Sequence, residues 1–149
     1  MGPYDEPVAP DELVGAAFDG RYRVHDVIAS GGMSTVYRGV DLRLDRPVAV
    51  KVMDARYAGD QQFLTRFKLE ARAAARLSDP GLVAVFDQGM DARHPYLVME
   101  LVEGGTLREL LRERGPMPPH AVVAVLRPVS WMPPVPVLAM MLFTFAPAV

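Results

Sequence analysis

Lys51 is the first residue of this 149-residue chain whose surroundings suggest chemistry. It lies in the β-rich run Arg46 to Met53. Alternation there puts Val48, Val50 and Val52 on one face and Ala49, Lys51 and Met53 on the other. A lysine between apolar neighbours is unusual in a strand that otherwise reads as buried. Ala49, on the same face, is small and leaves room for something flat. On the strand alone, an edge position with Lys51 in solvent is the simpler reading. A helical stretch from Gln61 to Leu77 changes the weighing. Phe63, Phe67, Ala74 and Leu77 recur at helical spacing, and Glu70 falls inside their stripe at about 100° per residue. A carboxylate pointed inward needs a cation or a set of donors. Lys51 is the obvious candidate, because Lys68 and Arg72 point elsewhere on the helix. The alternative is a Glu70 at the rim of a short amphipathic helix.

Upstream, the turn Ala29-Ser30-Gly31-Gly32-Met33-Ser34 carries adjacent glycines. Glycine lets backbone approach a ligand closely, and free N–H groups there can face phosphate oxygens. Glycine pairs at hairpin tips are also common for conformational reasons alone. The order carries more weight than any single motif: glycine turn, then lysine strand, then inward glutamate.

The elements that must position these residues follow from pattern. Arg21 to Ile28 and Thr35 to Val40 form a hairpin around the glycine turn. Arg46 to Met53 is a third strand, with Pro47 near its start, where a missing N–H is tolerable. Asp60 is a plausible N-cap for the helix Gln61 to Leu77. Leu82 to Gln88 and Tyr96 to Val102 read as two more strands, and Thr106 to Arg114 and Pro119 to Arg127 as short helices. Five strands with one inserted helix, then helices, is an α+β order.

Composition bounds the rest. Half the residues are apolar and 23% are charged, as in a globular domain. A net charge of −2 gives no general reason to expect nucleic acid as a partner. Without cysteine there is no disulfide framework, thiolate metal site or cysteine nucleophile. His25, His94 and His120 are scattered singly and make no metal site. Residues 1–19 carry Pro3, Pro7 and Pro10 among acidic residues and read as a flexible acidic leader. They have no basic and apolar signal-peptide pattern. Residues 129–149 contain four prolines but no charge and no glycine. Their apolar run, Val137 to Ala146, is short of the roughly 20 residues of a spanning helix. We expect no membrane span there, and a cytoplasmic protein.

The runs Arg21 to Val24, Ala29 to Tyr37, Val48 to Lys51, Arg66 to Ala71 and Tyr96 to Glu100 resemble the bacterial Hanks-type Ser/Thr protein kinases. They are most similar to the actinobacterial Pkn group. The resemblance covers about residues 18–128. It implies a kinase-like small lobe over residues 20–103, with a five-stranded antiparallel sheet and an αC helix. Residues 104–128 would then be the helices that follow the hinge. It implies ATP as cofactor, with Mg2+ held only through ATP and no metal ligand on this chain. Ala29, Ser30, Gly31, Gly32, Met33 and Ser34 would form the lid over the phosphates. Val36 and Ala49 would wall the adenine pocket from above. Lys51 would hold the α- and β-phosphates, oriented by Glu70. Met99 would be the gatekeeper, and the backbones of Glu100 and Val102 would bond adenine at the hinge. The family also pairs its small lobes back to back, at positions matching Arg21, Leu44 and Asp87.

Three departures from the family pattern matter. Ala29 and Ser34 stand where the lid usually has glycine. Ala29 is tolerable unless a positive φ is required there. After Pro128 there is no His-Arg-Asp loop, no magnesium-binding Asn and no Asp-Phe-Gly segment. The catalytic Asp is therefore absent, and the expectation is a truncated or frame-shifted kinase with an aberrant tail at 129–149, inactive alone. The competing readings are a non-catalytic module that binds nucleotide or docks on an intact kinase, and a non-functional gene remnant.

Overall fold

In a computed structural model the described residues are 9–79, 82–104 and 107–126. Residues 1–8 of the expected leader and the expected tail at 129–149 lie outside them. The strands are β1 (Ala17–Phe18), β2 (Tyr22–Ser30), β3 (Ser34–Asp41), β4 (Arg46–Met53), β5 (Val85–Asp91) and β6 (His94–Met99). The helices are α1 (Gln61–Ala75), α2 (Leu107–Arg114) and α3 (Pro119–Leu126). All strand pairs are antiparallel, in the order β1-β2-β3-β4-β6-β5. The α+β class holds, with six strands where five were expected.

β4 runs between β3 and β6, so it is no edge strand. Its alternation sorts the core into two layers. Val48, Val50 and Val52 join Phe18, Tyr22, Val24, Tyr37, Tyr96 and Val98 on the outer face. Ala49 and Met53 join Val36, Leu97, Met99 and the α1 residues Phe63, Leu64, Phe67, Ala71 and Ala74 on the inner face. Both faces exclude water, which is why the strand reads as almost continuously apolar. The Asp60 carboxylate accepts from the Phe63 N–H at 3.0 Å, capping α1. The helix ends two residues earlier than expected, because Arg76 and Leu77 close it with shorter-range bonds to Ala73 and Ala74.

The hairpin β5–β6 is displaced from the sequence expectation. It extends to Asp91 and restarts at His94, around Ala92 and Arg93 at φ 43° and 66°. No glycine marks that turn, and Gly89, just past the expected strand end at Gln88, lies inside β5. A Cβ on Gly89 would meet the Tyr96 hydroxyl at 2.6 Å, so the position needs glycine for packing rather than for turning. β6 stops at Met99 because the chain leaves the sheet there. Glu100 N–H still bonds Ala84 O at 2.8 Å, but Leu101 and Val102 are outside the ladder.

The expected boundary at residue 19 falls within the packed unit. Pro10–Leu13 forms a short 3-10 helix, and Leu13, Ala16 and Phe18 cover the outer layer. Tyr37 donates its hydroxyl proton to Pro10 O at 2.8 Å. Apolar residues among the acidic ones, not the charges, decide where this stretch goes. Among the described residues no helix is long and apolar enough to cross a membrane.

Candidate functional site

Ser30 ends β2, Ser34 opens β3, and Gly31 to Met33 make the tip between them. The tip is closed by Gly31 N–H to Ser34 O at 2.9 Å and by the hydroxyls of Ser30 and Thr35 at 3.2 Å. Neither Gly31 nor Gly32 has a positive φ. The nearest atom to a Cβ at Gly31 would be 3.8 Å away, and nothing lies within 4 Å of one at Gly32. Openness above the backbone, not an unusual turn, is what the glycines supply here. Ala29 pairs with Val36 in the β2–β3 ladder at ordinary strand φ, so glycine is not needed there.

β3, β4 and β6 then stack the wall residues in register. Val36 faces Lys51 across the β3–β4 ladder, Lys51 faces Leu97, and Ala49 faces Met99 across β4–β6. Val36, Ala49 and Met99 belong to the one inner apolar layer, each at most 5% exposed. Lys51 is buried at the same level. Burial lowers its ammonium to about 8, because the charged form loses hydration. Glu70, on α1, is also buried, and burial raises its carboxyl, opposed by the nearby Arg66. Glu70 Oε2 has no hydrogen-bond partner, so Lys51 does not donate to that oxygen. A buried acceptor without a donor is costly to the fold.

At the hinge, Glu100 N–H already serves Ala84 O, and its carboxylate accepts from Ala84 N–H at 3.2 Å. Of the two backbone groups of Glu100, only the carbonyl can serve an adenine. Glu100 is exposed and Val102 half-buried. The buried ammonium, the open glycine tip and the flat apolar layer between them suit a nucleotide with its phosphates toward the tip. Among the described residues no cluster of acidic or histidine side chains can hold a metal ion.

Sequence reasoning missed several neighbours of this site. Arg56 reaches Gly32 O at 3.4 Å while paired to Asp54 at 2.9 Å, and Arg38 pairs with Glu103. A cavity of about 320 Å³ lies beside the glycine tip, lined by Leu13, Tyr37, Val52, Arg56 and His94 among others. It opens on the outer layer and is separate from Lys51, Ala49 and Met99. At the end of β3, Arg21 forks onto the wholly buried Asp41 at 2.9 and 2.8 Å, with Asp87 at 3.7 Å. An aspartate opening the tight turn 41–46 was a readable signal for its bonds from the Arg43 and Leu44 N–H groups, though not for the approach of Arg21.

Residues 22–130 match the family described as the protein kinase domain. The chain is 77% identical over 119 residues to the serine/threonine-protein kinase PknL of Mycobacterium bovis, covering 80% of this chain and 30% of that protein. It is 40% identical over 114 residues to the serine/threonine-protein kinase PrkC of Bacillus subtilis, covering 76% of this chain and 18% of that one. Among solved structures, the PknI kinase domain of Mycobacterium tuberculosis superposes with a TM-score of 0.68 at 28% identity. That match covers 78% of this chain and 48% of that one. The chain thus spans under a third of the curated relatives it matches.

Proposed function

The chain belongs to the protein kinase domain family, and from that premise we propose that it is the nucleotide-cradling small lobe of a Ser/Thr protein kinase. The observation that carries this reading is the buried Lys51 in register with Val36 and Leu97, on the same face as Ala49 and Met99. A lysine is held out of water at such a position when an anion is to meet it. Lys51 holds the α- and β-phosphates, and Glu70 orients it. Ala29 to Ser34 cover the phosphates, Val36 and Ala49 roof the adenine, Met99 limits its depth, and Glu100 and Val102 bond its edge. ATP supplies the phosphoryl group, and Mg2+ enters only with it. Residues 104–128 begin the lobe that would complete the cleft, and the protein acts in the cytoplasm.

Phosphoryl transfer needs an aspartate to orient the substrate hydroxyl, and metal ligands. The sequence given contains no His-Arg-Asp and no Asp-Phe-Gly. Incubated with labelled ATP, magnesium and a generic basic protein, this polypeptide alone gives no incorporation above a Lys51→Met control. Incorporation that the control abolishes contradicts this assignment of an inactive lobe.

A second role, pairing with another copy or with an intact kinase through Arg21, Leu44 and Asp87, is favoured by Leu44 standing 58% exposed beside that charge cluster. Arg21 and Asp87 already share an ion pair within the chain. Pairing through them exchanges partners across a two-fold axis rather than joining unpaired charges.

A further inference from the structure

Arg38 lies on β3, two residues beyond Val36, and Glu103 follows Val102 directly. Their side chains meet although 65 residues separate them. Nη1 donates to Oε1, and Nη2 donates to Oε2 at 3.3 Å, so the guanidinium fork engages both carboxylate oxygens. Asp26 is the cross-strand neighbour of Arg38, yet the hydrogen bonds go to Glu103. Directly after Glu103 the chain turns at Gly104, with φ 119°, a conformation few other residues adopt. The course of the segment past β3 is therefore set locally, and the ion pair fixes its distance from the strand. Their hydrogen bonds, with the attraction of opposite charge, raise the pKa of Arg38 and lower that of Glu103.

We propose that Arg38 and Glu103 are positioning residues that latch the roof strand of the nucleotide cleft to its hinge edge, so that Val36 is held over the adenine seat. The functional half of this rests on the nucleotide reading above. The latch itself is a property of the unliganded chain. Neither residue belongs to a core layer, so replacing one removes the tether without opening a cavity. The pair is 42% and 68% exposed, so its effect is small and weakened by salt.

Hydrogen exchange on the whole chain without nucleotide tests the latch, comparing wild type, Arg38→Gln, Glu103→Gln and the reversed pair Arg38→Glu with Glu103→Arg. At low salt each single variant exchanges about two- to fivefold faster over Ser34–Val36 and over residues 101–104. The reversed pair recovers much of the protection, and high salt brings wild type toward the single variants. Equal exchange in wild type and both single variants overturns the latch. Faster exchange that the reversed pair does not slow overturns the pairing as its cause. In parallel ATP titrations at millimolar concentration, Arg38→Gln weakens binding by a similar factor. Wild-type binding unchanged by Arg38→Gln overturns the positioning role alone. No saturable binding in wild type, with the latch intact by exchange, overturns the nucleotide reading and the positioning role with it.

Discussion

Where β3 runs into the turn 41–46, Asp41 is wholly buried and both its oxygens are met. Arg21 reaches them at 2.9 and 2.8 Å, and the N–H groups of Arg43 and Leu44 reach Oδ1 at 3.1 and 3.3 Å. On the inner face, Glu70 is 9% exposed and its Oε2 is met by no hydrogen bond. The electrostatics diverge accordingly. Arg21, above all, holds the Asp41 carboxyl at about 2, whereas burial drives Glu70 upward and Lys51 down to about 8. One region uses charge to fasten a turn and a strand start. The other keeps charge in a low-dielectric interior at a cost to folding.

The largest separation between the two regions is expected from Asp41→Ala. It leaves Arg21 and two backbone N–H groups without their acceptor, and should destabilise the chain by about 3 kcal/mol in urea unfolding. The pH dependence has a definite sign. A carboxyl whose folded pKa is depressed stabilises the fold above its unfolded value and loses that contribution as pH falls toward about 2. Wild type should lose stability in that window, and Asp41→Ala should lose less. Equal acid sensitivity in the two proteins would remove Asp41 from the account.

The inner pair should respond in the opposite direction. Replacing Glu70 by Leu removes a buried acceptor that lacks a donor and should raise stability by about 1 kcal/mol. Lys51→Met removes a buried ammonium whose folded pKa lies below its unfolded one. In wild type that desolvation cost is present below about pH 8 and is relieved as pH rises toward 10.5. Wild-type stability should therefore climb between these values relative to Lys51→Met. Destabilisation by both substitutions at pH 7 would mean that the cleft charges serve the fold after all.

Much of this contrast was legible in the sequence, and its limits have physical reasons. The alternation along Arg46–Met53 and the stripe on α1 fixed which face Lys51 and Glu70 share, since periods of 2.0 and 3.6 residues leave little choice once both faces are apolar. The Asp60 cap was equally readable from its side-chain chemistry. The β5–β6 hairpin was misjudged because Ala92 and Arg93 adopt left-handed backbone without glycine, while Gly89 serves packing against Tyr96. The approach of Arg21 to Asp41 and of Arg38 to Glu103 was not readable, because it depends on strand register and on chain beyond the hinge. The ladder β2–β3–β4–β6 had to exist before either pair could be named.

A smaller effect is expected at the dimer positions, where an exposed charge adds only about 0–1 kcal/mol. A chain ending at Pro128 should sediment partly as a dimer at high micromolar concentration, and Asp87→Ala should shift it toward monomer. A monomer throughout that range would remove the pairing. A dimer insensitive to Asp87→Ala would place the interface elsewhere.

The most direct test of the central claim is a titration of the whole chain with ATP and magnesium, followed by amide resonances and by calorimetry. On the proposed reading the lobe supplies one wall of an adenine site, whereas an enclosed site buries about 70–90% of its ligand, so binding should be weak. Calorimetry near neutral pH should detect little or nothing at micromolar concentration. Shifts at millimolar ATP should be confined to Ala29–Val36, the surroundings of Lys51 and Glu100–Val102, and should vanish in Lys51→Met. Low-micromolar affinity, or the same shifts in Lys51→Met as in wild type, would contradict the account.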